Sequence, residues 1–159
     1  MIHRALVVLR AAVYSTAFVL LWAWLAASAQ PLDARLPFGI PAWARFLGWP
    51  LILVGALLTL WCITTFVARG RGTPAPFDPP REFVAAGPYR YVRNPMYIGG
   101  FGVILGAGLA LRSPSMVGVA ALFLLFFHFF VLLYEEPALT SRFGEPYVRY
   151  KSSVHRWLL

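Results

Sequence analysis

Apolar residues along this chain fall into four runs, 6–29, 46–68, 97–111 and 115–134, with charged and polar residues confined almost entirely to the intervals between them. A helix needs about 20 apolar residues to cross the hydrocarbon core, so each run predicts a transmembrane helix, the third a short one. The interval between the third and fourth is only Arg112, Ser113 and Pro114, which predicts a tight helical hairpin. Gly102 and Gly106 stand at small-xxx-small spacing and are expected on the packing face of that hairpin. The first run resembles a signal peptide followed by small residues, but it is long enough to span, so it is read as the first helix.

The polar intervals add direction. Of 14 basic residues, 13 are arginine, against 6 acidic ones, and the chain is 60% hydrophobic, which excludes an ordinary soluble domain and argues against nucleic acid as the partner of the positive charge. Arg4, Arg10, Arg69, Arg71, Arg81, Arg90, Arg93, Arg142, Arg149, Lys151 and Arg156 fall on one side of a four-span layout, and Arg35, Arg45 and Arg112 on the other. Excess positive charge marks the cytoplasmic face, so both termini are expected there. Trp22, Trp24, Trp43 and Trp49 read as interfacial anchors. The expected architecture is an all-α integral membrane protein in one domain. It comprises two N-terminal spans (1–68), a Pro/Gly-rich cytoplasmic crossing (69–96), the hairpin (97–134) and an amphipathic helical tail (135–159), broken at Gly144.

Two polar clusters stand at the open ends of the hairpin. Gly87 to Gly100 reads GPYRYVRNPMYIGG, and Glu135-Glu136 follow the fourth run. A hairpin brings both to one level, where cations, an amide, phenols and carboxylates can form a polar pocket. Neighbouring helical residues point about 100° apart, so one carboxylate is expected to face the pocket and the other to pair with an arginine. The third helix starts at Pro95, beside unsatisfied amide groups that attract a carboxylate or phosphate. An interfacial belt of anchors and ion pairs accounts for any one of these residues, but less well for their concentration. Cys62 has no disulfide partner, His128 reads as an interhelical hydrogen-bonding group, and three scattered histidines do not suggest a metal.

In order and spacing these motifs resemble the isoprenylcysteine carboxyl methyltransferase family, related to the phospholipid N-methyltransferases. The resemblance covers the C-terminal half: Arg93, Asn94, Pro95, Tyr97 and Gly99 match an Arg-His-Pro-x-Tyr-x-Gly box, with asparagine in place of histidine. Glu135, Glu136 and Leu139 match a Glu-Glu-x-x-Leu box, and Phe143, Gly144, Tyr147 and Tyr150 match the tail. The resemblance implies S-adenosyl-L-methionine held by Arg93, Asn94, Tyr97, Gly99, Glu136, Leu139, Tyr147, Tyr150 and His155. Arg90 and Glu135 would serve catalysis by orienting the acceptor. It implies no metal. The expected activity is methylation of a lipophilic or membrane-embedded acceptor among membrane lipids, in a multi-pass protein of a bacterial inner membrane with the cofactor site facing the cytoplasm. Two other functions fit the pattern: a membrane NADPH-dependent reductase of the steroid reductase type, and a non-enzymatic lipid-binding membrane protein. The acceptor and the oligomeric state are not encoded legibly.

Overall fold

The structure, a computed structural model, describes residues 2–70 and 82–158, with side chains at 6 and from 8 onward. The expected irregular crossing at 71–81, with Arg71 and Arg81, lies outside the described residues, as does the side chain of Arg4. The described chain is helical: α1 (Ile2–Ala29), α2 (Arg45–Thr65), α3 (Pro95–Ala110), α4 (Pro114–Phe130), α5 (Glu136–Phe143) and α6 (Glu145–Ser153). Among the described residues, three helical stretches are long and apolar enough to cross a membrane, Val8–Arg35, Ala42–Gly70 and Pro114–Phe143. The shorter apolar Pro95–Leu111 lies between the other elements; at 1.5 Å per residue α3 extends only about 24 Å. This is the all-α membrane protein that the hydrophobic pattern predicts.

Local chemistry closes the hairpin where the sequence places it. Arg112 adopts the left-handed region (φ 57°), and the Ser113 hydroxyl caps α4 by accepting from the Met116 amide at 3.2 Å. That turn is then tied to the connection between α1 and α2. The Arg112 Nε donates to the Ile40 carbonyl at 2.9 Å, and the Ser115 amide donates to Asp33 Oδ1 at 2.8 Å.

Helix packing departs from expectation in one respect. Gly106 and Gly99 face α2, not α4. A Cβ built on Gly106 would come within 2.7 Å of the Gly48 carbonyl, and one on Gly99 would strike the Thr59 hydroxyl and lie 2.8 Å from the Gly55 carbonyl. Gly102 also looks onto α2, 3.6 Å from Gly55 Cα. The glycines that admit α4 are Gly100, against the Phe123 ring, and Gly108, against Val117. Backbones pack this closely only without side chains between them, because dispersion rather than water exclusion binds helices in lipid.

Trp22 is likewise not an interfacial anchor. Its ring packs edge-on against Phe123 of α4 with centroids 4.6 Å apart, and with Phe18 it joins α1 to the Phe123 and Phe127 cluster. Trp24, Trp43 and Trp49 are exposed, as are Leu53, Val54, Leu57 and Leu60 along the outer face of α2. An apolar surface of this extent is what a lipid-facing helix presents.

Candidate functional site

At the end of the bundle away from the hairpin turn, α4 does not stop. A π turn, Val131–Glu135, carries it into α5 without a break. Such turns widen the helix locally and redirect side chains. Here the carboxylates diverge: Glu135 Oε2 accepts from the Tyr97 hydroxyl of α3 at 3.0 Å, while Glu136, 6% exposed, turns towards arginines. Tyr97 is held from behind by stacking on Phe127, centroids 4.2 Å apart.

Glu136 is gripped from the tail. Arg156 donates to both its oxygens, Nε to Oε1 at 2.7 Å and Nη2 to Oε2 at 3.1 Å. Arg93 approaches the same Oε1 with Nη1 at 3.1 Å, but out of line for a hydrogen bond. Arg93 Nε and Nη1 are therefore buried donors with no acceptor among the described residues, on a side chain 10% exposed. Leaving such donors without acceptors is costly, and open guanidinium donors beside a cavity suit an anionic ligand.

Returning the tail to this place takes several contacts with the segment before α3. Val92 and His155 form a parallel bridge, with the Arg93 amide donating to the His155 carbonyl at 2.9 Å. The Asn94 side chain donates to the Arg156 carbonyl at 3.1 Å, and Tyr150 donates to the Tyr89 carbonyl at 2.6 Å. Trp157 Nε1 donates to His128 Nδ1 at 3.2 Å, so His128 is bonded to the tail rather than to a neighbouring span. Trp157→Phe removes that bond and is expected to cost about 1 kcal/mol. Thermal unfolding of the detergent-solubilised protein checks it, and an unchanged midpoint would mean that the bond contributes nothing to holding the tail.

These contacts enclose a cavity of about 450 Å³. Of the residues expected to form a site, Arg93, Asn94, Glu135, Glu136, Leu139, Tyr147 and Tyr150 line it. Four do not. Arg90 ends a short turn (Gly87–Arg90) and is exposed; Gly99 is spent on the approach to α2; Tyr97 stands behind Glu135. His155 is exposed and takes part through its backbone. The remaining wall is largely aromatic, with Phe66, Phe83, Tyr89, Tyr134 and Phe143. Phe83 meets Tyr147 and Tyr150 edge-on at 5.8 and 5.1 Å, which joins the end of the crossing to the tail. Neither Phe83 nor Arg156 was legible as a site residue. Phe83 belongs to no periodic pattern; the signal for Arg156 was the acidic doublet's need of a cation.

The Tyr89, Tyr147 and Tyr150 hydroxyls stay protonated. Burial, reinforced by the charge of Glu136, pushes Tyr147 up to about 12, and burial raises Tyr150 and Tyr89 as well. The cavity thus offers a guanidinium with open donors, a carboxylate, neutral hydroxyls and flat aromatic walls. A family model described as phospholipid methyltransferase matches residues 43–146, which take in α2 to the start of α6 and most of the cavity wall. No curated protein and no solved structure gives a significant match.

Proposed function

The chain belongs to the phospholipid methyltransferase family, the family of isoprenylcysteine carboxyl methyltransferase-like enzymes and thus of membrane methyltransferases, and we propose that it uses S-adenosyl-L-methionine to methylate a lipophilic acceptor at this cavity. The observation that carries the reading is Arg93, buried with open donors at the wall of a 450 Å³ cavity that also contains Glu135. Ligand cavities for small molecules occupy roughly 300–1,000 Å³ and combine apolar walls with a few directed polar groups.

The donor set suits that cofactor. Arg93 would hold its carboxylate, Glu135 its ammonium or a ribose hydroxyl, and the rings of Tyr147, Tyr150 and Phe83 its adenine. When bound, the cofactor supplies an electrophilic methyl carbon on a sulfonium, so the chain needs alignment and exclusion of water more than a nucleophile of its own. Tyr97 fixes the Glu135 carboxylate, and the aromatic wall keeps the site dry. Phe66, just past α2, and the exposed Tyr134, in the π turn after α4, line the cavity and offer a side on which a lipophilic acceptor would enter. Orientation of an acceptor by Arg90 has no geometric support, since that side chain is exposed and does not line the cavity. Arg90, Arg93, Arg142 and Arg156 gather at the cavity end, against Arg35, Arg45 and Arg112 at the other, a bias that by the positive-inside rule supports a cytoplasmic cavity.

Calorimetric titration in detergent with S-adenosylhomocysteine tests the cofactor, with NADPH as the control. Arg93→Gln is expected to weaken binding about 10- to 100-fold, the loss of a charge-assisted contact worth about 1.5–3 kcal/mol. Labelled methyl transfer into a membrane lipid extract identifies the acceptor. Binding of NADPH without binding of S-adenosylhomocysteine would falsify the reading.

A further inference from the structure

Two guanidiniums compete for one buried carboxylate, and the outcome is unequal. Arg156 takes both oxygens of Glu136 at 2.7 and 3.1 Å; Arg93, with Nη1 as near as 3.1 Å to Oε1, is out of line and retains two open donors. Arg93 thus keeps the proximity of a negative charge, which offsets the desolvation of its guanidinium, without surrendering its donors to that charge. Arg156 lies beyond α6, so this arrangement is not made within α3 or α5 alone. It depends on the tail, where the Asn94 amide holds the Arg156 carbonyl, and Trp157 and the Val92–His155 bridge hold the residues on either side.

We infer that Arg156 is a positioning residue for anion recognition: by occupying Glu136 it prevents that carboxylate from closing on Arg93, and so keeps Arg93 open to the carboxylate of the ligand in the cavity. The inference rests on the methyl-donor reading above. Without Arg156, the freed Glu136 is the nearest acceptor for Arg93, and a bidentate Arg93–Glu136 pair would replace the receptor with a satisfied ion pair. The inference also gives Asn94 a defined task. An amide at that position can hold the Arg156 backbone in place without titrating.

The test compares two probes by calorimetry: S-adenosylhomocysteine, and 5′-methylthioadenosine, which lacks the amino-acid carboxylate. In the wild type the first is expected to bind about 10-fold or more tighter, as a charge-assisted contact implies. Arg156→Ala should bring the ratio close to one by weakening S-adenosylhomocysteine alone. Adding Glu136→Gln to Arg156→Ala removes the competing charge and should restore most of the ratio, which a merely structural role for Arg156 would not produce. If Arg156→Ala does not fold, Arg156→Lys replaces it. A lysine cannot hold both oxygens in a fork, so the ratio should fall, and should recover when Glu136→Gln is added. A ratio unchanged in the single variant, or not recovered in the folded double variant, overturns the inference. A wild type that binds neither probe removes the methyl-donor reading itself and the inference with it.

Discussion

Glu136→Ala is expected to lower the stability of the protein by about 3–5 kcal/mol, the cost of removing one partner from a buried ion pair and leaving the other charge uncompensated. Here two guanidiniums lose their carboxylate at once, Arg156 at 26% side-chain exposure and Arg93 at 10%. Arg156 can reach water once the tail lifts, so the loss should appear first as undocking of α6 and only then as unfolding of the bundle. Thermal denaturation in detergent, with limited proteolysis of the tail, measures both. Glu136→Gln keeps an acceptor in place and should lose clearly less. A Glu136→Ala protein with a wild-type midpoint and a protected tail would show that the ion-pair cluster does not hold the C-terminal segment.

Gly55→Val should break the α2–α3 contact, with a cost at or above the about 1–3 kcal/mol typical of overpacking. Its Cβ would stand 2.6 Å from the Gly99 carbonyl oxygen and 2.9 Å from the Val103 amide, and both are backbone atoms inside a helix that cannot move aside by a rotamer change. The disturbance should travel: α3 begins at Pro95, immediately after Arg93 and Asn94, so separating the helices displaces the anion-facing end of the cavity. Loss of S-adenosylhomocysteine binding should therefore accompany loss of stability. Gly118→Ala is the matched control, since nothing lies within 4 Å of a Cβ there and the substitution should be neutral or stabilise by up to about 1 kcal/mol through helix propensity. Equal effects from the two substitutions would mean that the glycine face does not control the packing.

Much of the cavity wall could be read before the fold was known, and the reason is local. Arg93 and Asn94 sit at a helix start marked by Pro95, and Glu135-Glu136 end an apolar run, so a hairpin of known length must bring them to one level. Adjacent helical residues diverge, which split the roles of the two carboxylates. The same reasoning misplaced Gly102 and Gly106 towards α4 and left Trp22 at an interface, because both depend on how a helix is rotated about its axis.

From the sequence alone followed the spans, the end of the bundle where charge gathers, and the meeting of the arginine box with the acidic doublet. Each depends on chain length, residue type and the short hairpin connection. Tertiary structure decided which side of α3 meets α2, which arginine takes Glu136, and through which contacts the tail is held against the cavity. In water a polar face shows which way a helix turns. In a span that is apolar on every side, lipid and protein are equally good neighbours, and only the fit of glycine against backbone and guanidinium against carboxylate chooses between them.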